Sequence, residues 1–348
     1  MRINPWNYKK IRSQITRLRA VVSTITVFRL YNFTRVWLGF LFSKLFKSIH
    51  VWGLPYSMSI EPANFCNLKC LECPVSLTTI KEKGYFEISL LQKIVQESGK
   101  SLMAVQFHFQ GEPFLNNNLH KLILEAKKHN LYTSLSTNGH FLSQENAKKI
   151  IRSGLDEITI SLDGASKESY AFYRVAGSFH TVVNGIKNLV QEKQQTGSSK
   201  PYIRIQFLVF RYNEHEMETM KELSKKLDVE ALTFKSAQLM HPEKQIGLIP
   251  ENSKYSRYHI RNEHVERKGR TDTLCKKLWN SFVVGYNGDV LPCCFDKSRS
   301  YIMGNLNSNS IIHIWRNFLY TKLRTTVLLK RNAIPMCRNC TEGLNAKL

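Results

Sequence analysis

Between residues 56 and 236 short runs of strand-forming residues alternate with longer stretches of helical period. The runs 57–61, 104–110, 132–136, 157–162, 202–210 and 231–236 read as strands. Between them, residues 90–98, 119–129, 144–151, 179–193 and 214–226 carry apolar positions three and four apart. Six such units predict a parallel sheet with right-handed crossovers, open or rolled into a barrel. Within each strand the sides differ. Ser57, Ser59 and Glu61 lie opposite Met58 and Ile60, and Gln106, His108 and Gln110 lie opposite Phe107 and Phe109. The same division pairs Ser134 with Ser136, Thr159 with Ser161, Arg204 with Gln206 and Thr233 with Lys235. A sheet covered on both faces reads as continuous apolar runs, and a closed eight-stranded barrel fills its interior with branched apolar side chains. One polar and one apolar face therefore predict helices outside and a wet chamber inside, in an incompletely closed α/β barrel of six units. An antiparallel sheet with one face in solvent also gives this alternation, but leaves the helices unexplained.

The flanks break the rhythm. In residues 1–55, Ile15, Leu18, Val22 and Ile25 have helical spacing, but an unbroken helix would place Arg29 on that apolar face. Two amphipathic helices meeting near Asn32 are expected instead. Residues 237–270 are polar and irregular and read as a linker. Residues 271–348 form a separate, small α+β region, in which "FVVGY" and "DVLPCC" predict a hairpin turning at Asn287–Gly288.

Charge sharpens the picture of the front end. The formal net charge is +23, and residues 1–60 hold ten Lys or Arg and no Asp or Glu. The uncharged runs 20–28 and 36–43 end at Arg29 and Lys44, too short for a membrane span and unlike a secretory signal. A cytoplasmic protein is expected. Its basic helices fit either peripheral attachment to the anionic inner face of a membrane or a solvated flap packed on the barrel. Nucleic acid is a third, weaker reading of the charge, without a recognisable RNA-binding domain to support it.

Without an export signal, clustered cysteines read as metal ligands rather than disulfides. Three of the eight, Cys66, Cys70 and Cys73, follow the first strand directly, at the carboxyl end where parallel α/β folds bind ligands. Three thiolates can hold three irons of a 4Fe–4S cube and leave the fourth open; a zinc site completed by a distant residue is the alternative. In the C-terminal region Cys275, Cys293, Cys337 and Cys340 make a closed set of four, for zinc or a cluster, with Cys294 as the rival of Cys293.

The motifs at successive strand ends resemble the radical S-adenosylmethionine (SAM) superfamily. Cys66-x3-Cys70-x2-Cys73 is similar to its cluster loop, and "FQGEP" with Gln110, Gly111, Glu112 and Pro113 is similar to its Gly-Gly-Glu-Pro segment. "STNG" (Ser136, Asn138), "SLDG" (Ser161, Asp163), "YRVAG" with Arg174, and "FRYNEHE" at 210–216 follow in order. The resemblance implies that SAM completes the open iron through its amino and carboxylate groups. Glu112 would meet the amino group, Arg174 the carboxylate, and the other motif residues the rest of SAM. One-electron cleavage would then release methionine and a 5′-deoxyadenosyl radical that takes hydrogen from a substrate in the lumen. Glu72 departs from the aromatic residue common at that position, which puts adenine packing there in question.

The C-terminal cysteines, with "IMGNLNSNSIIHIW" and "PMCRNC", resemble the SPASM/twitch extension and its auxiliary 4Fe–4S cluster. Electron acceptance by that cluster would make the reaction a net oxidation, with His108, Arg204 and Lys235 as lumen base or anion clamp. The implied partners are SAM, a flavodoxin- or ferredoxin-type electron donor and a polar substrate, either a small hydroxylated molecule or a peptide as in peptide maturases. A zinc-stabilised binding protein without chemistry is the competing class.

Overall fold

The structure is a computed structural model that describes residues 5–78, 82–261, 264–269, 274–340 and 342. The expected extension, linker and C-terminal region each include a few residues outside these. Six strands carry the barrel: β1 (Ser57–Ile60), β2 (Ala104–Phe107), β3 (Tyr132–Thr137), β4 (Glu157–Ser161), β5 (Tyr202–Val209) and β6 (Ala231–Ser236). They pair in chain order and all in parallel. The register sets Ser59 beside Gln106, Gln106 beside Ser134, and Ser161 beside Gln206. Polar side chains thus share one face, as the alternation requires. The opposite face, with Met58, Val105, Phe107, Ile158, Ile160 and Ile205, is buried against Leu91, Ile94, Leu122, Ile150 and Ile186 of the outer helices. Each such side chain contributes roughly 1.5–3 kcal/mol by leaving water. β2 is shorter than its pattern: it ends at Phe107, and His108 and Gln110 belong to the loop above it.

Residues 237–270 are not a free linker. Leu239, Leu248, Ile249 and Tyr258 pack with Leu68, Cys70 and Phe210 in a second apolar cluster, and β7 (Tyr258–Arg261) pairs with β8 (His264–Arg267). Nor does the C-terminal region stand apart. β9 (Ser281–Val284) pairs in parallel with β1, while β10 (Asp289–Leu291) and β11 (Gly304–Asn305) continue the same sheet outward. The β9–β10 turn at Asn287–Gly288 matches its sequence signal, with Gly288 at φ 86°. The sheet does not close on itself, because β6 ends it on one side and the C-terminal strands extend it on the other.

Two helices precede the barrel, α1 (Pro5–Val22) and α2 (Val27–Phe46). They break at 23–26 rather than near Asn32, because the Thr26 hydroxyl caps α2 by accepting the Arg29 N–H. Arg29 is itself buried and donates to the carbonyls of Thr24, Gly99, His129 and Asn130 at 2.7–3.0 Å. Charge at this position docks the helix instead of breaking it. Arg17 of α1 reaches Glu157 at the start of β4 (2.7 Å), so α1 covers the amino-terminal end of the barrel. No helix among the described residues is long and apolar enough to cross a membrane.

Candidate active site

The chain leaving β1 at Ile60 folds over the carboxyl ends of the strands. Backbone N–H groups of Lys69 and Leu71 donate to Val175 O and Tyr173 O, which lays the cysteine loop along the segment after β4. Gly111 presses against the loop from the β2 side. Its φ is 69°, and a Cβ there would lie 2.1 Å from Ala63 O, so a side chain cannot fit. The Glu112 N–H then donates to Phe65 O (2.9 Å).

Donors face the sulfurs. Asn138 Nδ2 lies 3.6 Å from Cys66 Sγ, and Arg174 lies 3.7 Å from Cys70 Sγ. Burial pushes the Cys66 thiol up to about 11, so the thiolate needs a metal to form at neutral pH. Arg174 is held by Asp163 through Nε (2.6 Å) and a terminal nitrogen (2.5 Å), and Asp163 also accepts the Leu208 N–H. Glu112 accepts from the Thr137 hydroxyl and from the N–H groups of Asn138 and Phe114. Burial raises its pKa and these three donors oppose the rise.

These groups border one cavity of about 520 Å³. All three loop cysteines line it, as do Gly111, Glu112, Ser136, Asn138, Ser161 and Arg174. Three residues of the resembling motifs, Gln110, Pro113 and Asp163, stand outside it. Gln110 donates to Lys297 O (2.8 Å), and Pro113 opens a short turn behind Glu112. Asp163 reaches the cavity only through Arg174. Of the lumen candidates, His108 and Lys235 line the cavity. Arg204 does not: it donates to Glu157 (3.0 Å) and to the Thr233 hydroxyl (2.8 Å) at the barrel floor, beside Arg17. Its place two residues before Gln206 puts it on the same face but too deep. His108 Nδ1 is buried with no partner, and burial and the nearby Lys297, Lys235 and Lys277 lower its pKa to about 4. Glu72 also borders the cavity, accepting the Met240 N–H (2.6 Å) and so tying the loop to the segment after β6. Sequence reasoning missed Gln238, Arg257 and Lys297 as wall residues. Strand alternation marked Gln206 as inward-facing, whereas no local pattern points to Arg257 or Lys297.

The second cysteine group lies beneath the hairpin. Cys275, Cys293, Cys337 and Cys340 are all buried. Arg331 reaches Cys340 Sγ (3.7 Å), and the N–H of Phe295 donates to Cys293 Sγ (3.4 Å). Burial pushes Cys337 up to about 11, against the pull of Arg331. Cys294, in side-chain contact with its neighbour Cys293, borders the cavity beside Lys297, whose Nζ donates to Phe109 O. Among the described residues no three Cys, His, Asp or Glu side chains are drawn together as around a single bound metal ion. Sulfur-rich loops with N–H donors on the sulfurs are the donor set that iron–sulfur clusters use, and both groups fit one.

Comparison with known proteins agrees. Residues 60–224 match the Radical SAM superfamily, and residues 275–341 match SPASM, an iron–sulfur cluster-binding domain. A tungsten-containing aldehyde ferredoxin oxidoreductase cofactor-modifying protein from Pyrococcus furiosus is 24% identical over 314 residues, covering 81% of this chain and 86% of its own. An S-adenosyl-L-methionine-dependent 2-deoxy-scyllo-inosamine dehydrogenase from Niallia circulans is 22% identical over 290 residues, covering 81% and 91%. Among solved structures, BtrN in complex with AdoMet and 2-DOIA superposes with a TM-score of 0.52 at 18% identity, over 85% of this chain and 96% of that one. Native anSMEcpe with bound AdoMet gives 0.56 at 18% identity, over 84% and 93%. The cofactors are therefore a SAM-binding 4Fe–4S cluster, an auxiliary 4Fe–4S cluster and SAM. The chain belongs to the radical SAM superfamily and is an enzyme of the oxidoreductase or maturase type with a C-terminal SPASM domain.

Proposed function

We propose that the protein oxidises a small hydroxylated substrate held in the cavity bordered by the cysteine loop and by Cys294 and Lys297. One observation carries this reading: Cys66, Cys70 and Cys73 line the same cavity as Cys294 and Lys297 of the C-terminal domain. When bound, the cofactors would supply a 5′-deoxyadenosyl radical from reductive SAM cleavage and, through the auxiliary cluster, a sink for the electron that net oxidation releases. The first electron would come from a flavodoxin- or ferredoxin-type donor. We assign the SAM-binding cluster to Cys66, Cys70 and Cys73, and the auxiliary one to Cys275, Cys293, Cys337 and Cys340. Cys293 is preferred over Cys294 because it is buried and stands outside the cavity, which its neighbour lines.

The chain's own residues have distinct tasks. Arg174 pairs with the SAM carboxylate and is kept in place by Asp163; Glu112, with Asn138 behind it, orders the amino end. Ser59, Gln106, Gln206 and Gln238 present neutral amides and hydroxyls to the substrate, which suits hydroxyl groups. His108, neutral and with a free buried nitrogen, accepts the proton that leaves with the electron. Lys235 borders the same space and orients the substrate oxygen. The likeness to a cyclitol dehydrogenase supports an alcohol-to-ketone outcome. A peptide side chain is the second reading, favoured by the fold shared with Streptococcus suis SuiB bound to precursor peptide SuiA (TM-score 0.59, 13% identity, 79% of this chain and 67% of that one).

Anaerobically reconstituted protein with SAM and a reductant is the test, screened against polyols, aminocyclitols and peptides. The expected result is substrate-dependent 5′-deoxyadenosine and a product lighter by two hydrogens. An isomeric product of unchanged mass would refute net oxidation, and zinc in place of iron would refute the enzymatic reading altogether.

A further inference from the structure

The apolar residues that give α1 its helical period do not face the barrel. Ile15, Leu18, Val22 and Ile25 are exposed, Leu18 to 63%. α2 repeats the arrangement. Its inner side is docked through Arg29, Val36 and Ser43, seven residues apart, while Val27, Leu30, Tyr31 and Trp37, spaced three, four and seven apart, lie on the outside. Val27 is 84% exposed and Phe28 67%, and Leu45 and Phe46 extend the apolar surface to the end of the helix. Isolated exposed apolar residues are ordinary, but rows of them on two consecutive helices mark a surface that meets something.

The charge around these rows selects the partner. Residues 1–60 contain ten cations and no carboxylate. Even with Arg29 buried and Arg17 paired with Glu157, two copies meeting through this face would bring together two cation-bearing extensions with no acid from either to offset them. An anionic bilayer supplies both the apolar layer and the opposite charge. Trp37, Tyr31 and Phe28 are residue types that favour the boundary between acyl chains and headgroups. We propose that the exposed faces of α1 and α2 seat the protein on an anionic membrane surface, lying in the interface rather than crossing it.

The test is co-sedimentation of the reconstituted full-length protein with vesicles, at low and high salt. Binding is expected to vesicles of phosphatidylcholine with phosphatidylglycerol. It should be at least about tenfold weaker on phosphatidylcholine alone, since each cation at the surface is worth roughly fivefold. Leu30→Glu/Tyr31→Glu/Trp37→Glu should abolish binding while leaving iron–sulfur absorption and elution volume unchanged. A second variant, Lys44→Glu/Lys47→Glu, changes only exposed cations and should weaken binding several-fold whether or not the first variant folds. Protein left in the supernatant with anionic vesicles would overturn the proposal. So would equal binding to phosphatidylcholine alone, or wild-type binding by the folded variants.

Discussion

Replacing Arg174 with Gln separates its structural and ligand-binding roles. Asp163 is wholly buried, and its Oδ2 accepts two of its bonds from this guanidinium. Removing the cation leaves a carboxylate with one remaining donor, the Leu208 N–H. Breaking a buried pair from one side costs about 3–5 kcal/mol, because the surviving charge is stranded. At about 2–4 °C per kcal/mol for a chain of this size, the melting temperature should fall by roughly 10 °C. If Arg174 also meets the SAM carboxylate, a charge-assisted bond of about 1.5–3 kcal/mol is lost, which weakens SAM binding about 10- to 150-fold. The double variant Asp163→Asn/Arg174→Gln dissects the two effects. Neutralising Asp163 should restore most of the stability, yet SAM should still bind as weakly as in the single variant. Differential scanning calorimetry and equilibrium dialysis of SAM, both on anaerobically reconstituted protein, read these outcomes. A double variant no more stable than the single one would refute the stranded-charge argument, and unchanged SAM affinity in Arg174→Gln would refute the contact with its carboxylate.

Iron analysis should give about eight irons per chain for the wild type and for Cys294→Ser, but about four for Cys293→Ser; the reverse order would exchange their roles. Glu72→Ala removes the acceptor of the Met240 N–H in a buried setting, worth about 1.5–3 kcal/mol. The loop should then release iron to a chelator faster, without loss of the auxiliary cluster, as followed by visible absorption. His108 has a folded-state pKa of about 4 against an ordinary 6.5. The unfolded chain therefore binds more protons in that window, and stability falls as pH drops from about 6.5 toward 4. In urea titrations His108→Gln should flatten that slope, and an unchanged slope would place the effect elsewhere.

Strand alternation made the barrel legible because both faces of each strand report on their surroundings over only a few residues. Cluster loops were equally plain, since ligand spacing is a local property. Three features were not legible, each for a reason in the chain. The wall formed by Leu239, Leu248, Ile249 and Tyr258 has no period, because an irregular segment packs through single residues rather than a stripe. Pairing of β9 with β1 joins residues more than two hundred apart, and neither strand carries a mark of its partner. Arg29 was misleading for the opposite reason. A charge on an apolar face predicts a break, but a guanidinium bonded to four carbonyls is a satisfied core residue. Arg204 shares this character, facing the lumen at a depth where Glu157 already meets it.

Glu72 shows how one departure from a pattern is absorbed elsewhere in the fold. An aromatic ring at this position would lie on the loop itself. Here the position holds a buried carboxylate whose acceptor is used by Met240, so the residue fastens the loop to the segment after β6. A ring borders the cavity from the other side. Tyr173 lines the cavity and packs in a tilted pair with Phe210 at 4.6 Å, on which Tyr212 stacks in turn at 5.6 Å. Those aromatics pack in the same cluster as Leu68, Cys70 and Leu239. Any movement of the 237–249 segment would therefore reach the cysteine loop twice, through the Glu72 hydrogen bond and through this shared apolar contact. The segment that looks like a linker in sequence is thus coupled to the three thiols by both polar and apolar routes, and the glutamate is one of the ties.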